Sequence, residues 1–136
     1  MANSVLVQII QDGVRNSTVK ITGELDTSDV AVYTVLDITT LNQSGNGQKP
    51  TKVMVMHIDY AIASGLEVVL DWHANTNIAL LPIAGRGKMT YLSFGGLQNN
   101  AGAGVNGNID LYTIGYTSGK MVFSVILELI KEGGTL

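Results

Sequence analysis

Residues 121 to 130 read Met-Val-Phe-Ser-Val-Ile-Leu-Glu-Leu-Ile. In an extended chain successive side chains point to opposite faces, so Met121, Phe123, Val125, Leu127 and Leu129 form one unbroken apolar row. The opposite row, Val122, Ser124, Ile126, Glu128 and Ile130, is also largely apolar. A strand of this kind needs cover on both faces, from a second sheet and a loop or from another subunit. It is also too short to be a membrane span, which takes about 20 apolar residues. The segment therefore calls for a layered β architecture around it.

Other segments follow the same two-residue period. Ser17, Val19, Ile21, Gly23 and Leu25 share a face opposite Thr18, Lys20, Thr22 and Glu24. Leu66, Val68, Leu70 and Trp72 alternate with Glu67, Val69, Asp71 and His73, and Val53, Val55 and His57 alternate with Met54, Met56 and Ile58. Val, Ile and Thr supply 38 of the 136 residues, a bias toward side chains that suit a pleated surface. Turn chemistry separates the runs at Asp12-Gly13, Ser44-Gly45-Asn46-Gly47, Ser64-Gly65, Gly95-Gly96 and Ser118-Gly119. Strands are expected near 4–11, 16–25, 29–40, 51–63, 66–73, 77–82, 88–93, 108–117 and 120–131. A helix over 29–41, capped by Asp26 or Ser28, is the weaker alternative, because Val30, Val32, Val35, Ile38, Thr39 and Thr40 are poor helix formers. Pro50 and Pro82 fall at a strand entrance and exit, where a missing donor is tolerated. The expectation is all-β: a single-domain two-sheet β-sandwich over 1–136, jelly-roll-like, of eight or nine strands, with 1–11 an N-terminal arm or edge strand.

Composition narrows the function. Hydrophobic residues make up 46% and the net charge is only -3, the reverse of a disordered chain. The absence of cysteine excludes disulfides, thiolate metal sites and cysteine nucleophiles. Met1 to Val7 lacks the basic and long apolar regions of a signal peptide, so none is expected, and without one the sequons at Asn16 and Asn42 carry no weight. Gly102-Ala103-Gly104-Val105-Asn106-Gly107 spells the dinucleotide fingerprint, but a strand pattern (Asn108 to Tyr112) follows where the fingerprint needs a helix N-terminus. No cofactor is expected. Asp71 and His73 could share one face as metal ligands, but a site needs a third or fourth ligand that the sequence does not identify and cysteine cannot supply, so no metal is expected either. His57 reads as a half-buried structural imidazole on the face of Val53 and Val55. No G-x-S-x-G segment offers a serine nucleophile, and Asp26-Thr27-Ser28-Asp29 reads as a hydrogen-bonded turn rather than a glycosidase acid pair. Arg86 and Lys88 are the one local basic pair, too few for nucleic-acid binding.

Charged residues amount to only 14% of the chain, against about 25% in an ordinary soluble domain. Such a surface suits one covered by other protein, since interface cores are depleted in charge. The apolar run Val5, Leu6, Val7, Ile9 and Ile10 is the first candidate for such a contact. Phe94 to Gly107, long, uncharged and rich in Gly and Asn, is the second, as a contact loop or an internal crossover. The candidate interface residues are Val5, Val7, Ile9, Arg86, Phe94, Leu97, Asn99 and Asn100.

Asp12-Gly13-Val14-Arg15-Asn16, Thr22-Gly23-Glu24-Leu25-Asp26, Ala84-Gly85-Arg86-Gly87-Lys88, Phe94 to Gly102 and Gly115-Tyr116-Thr117-Ser118-Gly119 together resemble a family of small structural proteins of tailed bacteriophages. The resemblance covers nearly the whole chain and is most specific over Phe94 to Gly107. It implies a non-enzymatic virion component on the capsid surface, assembled in the host cytoplasm. Its implied partners are the major capsid protein and further copies of itself, with neither nucleic acid nor membrane as a partner. A tail or head-to-tail connector position is the nearest alternative. A carbohydrate-binding module using Trp72, Tyr91, Tyr112 and Tyr116, or an enzyme using Asp71, His73 and Asp26, are the more distant ones.

Overall fold

The structure is a computed structural model and describes residues 3–13, 16–41, 50–91, 96–97 and 106–132. Among these, nine strands run β1 (Ser4–Asp12), β2 (Asn16–Leu25), β3 (Tyr33–Leu36), β4 (Lys52–Ile62), β5 (Glu67–Trp72), β6 (Ile78–Ala84), β7 (Arg86–Thr90), β8 (Ile109–Ile114) and β9 (Met121–Glu132). They form two antiparallel sheets, one ordered β1-β2-β9-β4-β7 and the other β3-β8-β5-β6. The pairs nest around the β5–β6 turn: β5 with β6, β4 with β7, β3 with β8, β2 with β9. Successive pairs fall in opposite sheets, so the chain is one long hairpin rolled into a jelly roll, with β1 added beside β2.

The final apolar strand lies at the centre of the five-stranded sheet, between β2 and β4. Its odd row is buried, and β2 contributes Val19, Ile21 and Leu25 at 0% exposure to the same core. Trp72 points inward from β5 at 1% exposure. The even row of β9 has no second layer over it among the described residues: Ile126 and Ile130 are half-buried beside neighbouring side chains, and Val122 is exposed.

Two expectations need correction. The stretch 29–40 is a strand only at Tyr33–Leu36 and then turns through a short 3₁₀ helix at Ile38–Thr40. Asp37 redirects the chain there by accepting hydrogen bonds from Thr39 N (3.0 Å) and Thr39 Oγ1 (2.7 Å), and Asn108 Oδ1 accepts from Ile38 N. Upstream, Val30 N donates to Thr113 Oγ1 and Thr113 N to Val30 O, which ties the segment to β8 outside the regular ladder. The second correction is His57. The β4–β9 register shifts between Val55 and His57, so the extra residue reverses the alternation. Ile58 and Ile62 then continue the core row begun by Val53 and Val55, and His57 turns to the outer face beside Asp59 and Glu128.

Candidate assembly surface

Both sheets end in edge strands, and the two sides of the sandwich treat their edges differently. On one side stand β6 and β7. β6 carries Pro82, which has no N–H to offer, and β7 is five exposed residues bearing Arg86 and Lys88. Proline, short length and cations each discourage another chain from pairing with an open edge. On the other side stand β1 and β3. From Ser4 to Gln11, β1 contains neither a charge nor a proline.

The pairing of β1 with β2 sets Val5 opposite Gly23, Val7 opposite Ile21 and Ile9 opposite Val19, so this row faces the core side. Ile21 and Val19 are fully buried, yet Val7 and Ile9 remain 37% and 38% exposed. The cause is a strand count: five strands in one sheet, four in the other, so β1 extends past the edge of the facing sheet and its core-side row is only partly covered by β3 and the segment before it among the described residues. Val5 is partly sheltered by the 28–33 segment and packs on the core. Beyond it a cavity of about 190 Å³ opens between Val7, Ile9 and the Tyr33–Leu36 strand. Leu6 is exposed on the opposite face of β1, Ile10 is exposed at the register shift between Ile9 and Gln11, and Val32 and Tyr33 are exposed at the entry to β3. These two plus Leu6, Val7, Ile9 and Ile10 make six of the nine exposed large apolar side chains among the described residues, gathered on one side. Apolar side chains scattered singly need no explanation, whereas a concentration of them marks an interaction surface.

The sequence-predicted interface residues do not form one patch. Val5, Val7 and Ile9 lie on the β1 edge, and Arg86 lies on β7 at the far edge of the same sheet. Leu97 forms an isolated bridge with Val55, donating to Val55 O (2.8 Å) and accepting from Val55 N (3.1 Å), with its side chain packed on the core. Phe94, Asn99 and Asn100 lie outside the described residues. Further along, Gly107 sits at φ +84° with a Cβ position that would strike Thr51 O, a close approach within the chain itself. Val32 and Tyr33, exposed on this side, are not among the residues the sequence points to.

A polar cluster occupies the outer face of the four-stranded sheet. Asp71 on β5 pairs with Asp110 on β8, at 6% and 1% exposure. Asp110 accepts from Thr34 Oγ1 (2.8 Å), Asn77 Nδ2 (3.0 Å) and His73 Nδ1 (2.6 Å). Burial raises the Asp71 carboxyl pKa, with Asn77 opposing and the Asp110 charge reinforcing that shift. No group of three His, Asp or Glu side chains among the described residues has the geometry to hold a metal ion. The described contacts join His73 to Asp110 rather than to Asp26, whose turn is bound by Asn3. Asp110, Asn77 and Thr34 were not singled out in the sequence; a charged residue inside the apolar run Ile109-Asp110-Leu111 was the available signal. Of the aromatics considered for sugar binding, Trp72 and Tyr91 are buried, and Tyr116 Oη donates to Gly119 O. No family model, curated protein or solved structure matches the chain.

Proposed function

We propose that the protein is a structural subunit of a tailed-bacteriophage virion, a decoration protein that binds the outer capsid surface and stabilises the shell. The observation that carries the assembly part of this reading is the bare β1/β3 side: six exposed large apolar side chains beside a strand with no charge from Ser4 to Gln11. Fully burying an exposed Val, Leu or Ile side chain contributes about 1.5–3 kcal/mol, and covering these partly exposed ones contributes a fraction of that each. The phage setting rests on the sequence resemblance. A subunit that binds the assembled shell and not its dissociated parts stabilises the shell by mass action, by an amount that rises with the logarithm of the ratio of its concentration to the dissociation constant.

Cryo-electron microscopy of the virion tests the reading. The expected result is nine-stranded jelly-roll density on the outer capsid surface, with the β1/β3 side in contact with protein. Density confined to the tail or connector, or particles that lack the subunit, would overturn the decoration role.

A further inference from the structure

We infer that β1 is a pairing edge for a second copy of this chain, two β1 strands meeting antiparallel about a two-fold axis so that two five-stranded sheets join into one of ten strands. The inference deepens the assembly reading of this same side by naming the partner.

The backbone specifies what can bind. An edge strand presents a row of unpaired N–H and C=O groups, and the group that satisfies such a row is another strand. β1 has β2 as its one ladder partner among the described residues. Its nine residues span roughly 30 Å at about 3.4 Å each, and the β1–β2 ladder runs without a register shift from Ser4 to Ile9.

Charge then selects a second copy. About a two-fold axis each residue near the centre meets its own counterpart, so a charged residue there faces its own like charge. Chains carrying -3 each repel in general, but β1 has no charge from Ser4 to Gln11, and Asp12 at its end is ion-paired with Lys131. The opposite edge of the same sheet fails this condition, because β7 would bring Arg86 and Lys88 against themselves. Shape agrees with charge. With the axis near Val7, the overhanging row Val5, Val7 and Ile9 runs on into the partner's identical row. The two-fold closes the contact, which yields a discrete dimer rather than a fibre.

Because the chain has no cysteine, single cysteines report the geometry cleanly. Leu6→Cys, Val7→Cys and Gln8→Cys, with Met89→Cys on β7 as control, are placed in the isolated full chain under a glutathione redox buffer. Directly opposed β partners have Cα atoms about 4.5–5.5 Å apart, within disulfide range. The expected result is efficient cross-linking at one of the three β1 positions, falling at its neighbours, with the Met89 control at background. Native mass spectrometry should show the parent as a dimer and Val7→Lys, folded by circular dichroism, at least about tenfold weaker in association, since like charges meet near the axis. Background cross-linking at all three β1 positions, or a monomeric parent, overturns the inference. Capsid binding by a monomeric parent would refute the dimer and leave the decoration role standing. A dimer absent from virions would do the opposite.

Discussion

Replacing Asp71 by Asn should stabilise the protein at neutral pH, because the two facing carboxylates are unequally served. Asp110 collects donors from Thr34, Asn77 and His73, and three such bonds offset much of the cost of burying a charge. For Asp71 burial is the largest influence and raises its pKa, the hydrogen bond from Asn77 lowers it, and the negative Asp110 raises it again. The folded state therefore holds the Asp71 proton more tightly than the unfolded chain does. Stability from this group is fully present below the unfolded value of about 3.9 and is lost as pH rises through the elevated folded value. At pH 7 the ionised carboxylate is a net cost. The Asp71→Asn side chain keeps the shape, removes the charge beside Asp110 and still offers an oxygen to Asn77. A buried polar group with incomplete partners costs about 1–3 kcal/mol, so the expected gain is on the order of 1–2 kcal/mol, or roughly 4–8 °C in Tm for a chain of this size. Urea and thermal unfolding followed by circular dichroism between pH 4 and pH 7.5 measure it. The advantage should be greatest at the neutral end and shrink toward pH 4. A variant that is less stable at pH 7, or whose advantage is independent of pH, would refute the reasoning. Asp110→Asn should move the other way, by about 2–3 kcal/mol, since its amide N–H₂ would confront donors that now find an acceptor.

Three further substitutions probe the frame. Lys131, its side chain wholly buried, pairs with Asp12 and donates to Gly13 O (2.6 Å), fastening the β1–β2 turn to the end of β9; Lys131→Met should cost about 3–5 kcal/mol in urea unfolding by breaking this buried ion pair. Gly23 lies opposite the buried ring of Phe123, which a Cβ would strike, so Gly23→Ala should cost about 1–3 kcal/mol, measured the same way. Arg86→Val combined with Lys88→Val makes β7 a second bare edge and should produce aggregation in light scattering while circular dichroism stays native.

The ease with which strands were read and the difficulty of reading the surface have one physical origin. Alternation is local, and it placed β2, β5 and β9 within a residue or two because each keeps a single phase from end to end. It failed where one residue altered the phase or direction: the extra residue before His57 sent the imidazole outward, and the Asp37 hydrogen bonds cut a twelve-residue expectation to Tyr33–Leu36. Alternation also placed Asp71 on the outer face correctly, but carried no sign that Thr34 of β3 and His73 and Asn77 of the β5–β6 connection close over Asp110. The bare side is less local still. Val5, Val7 and Ile9 read as a core-type row, and they do face the core side of their sheet. Val7 and Ile9 are left uncovered only because pairing puts five strands in one layer and four in the other, a property of no single segment. A charged β1 would be better solvated at the overhang, and would lose the feature that lets two such edges meet.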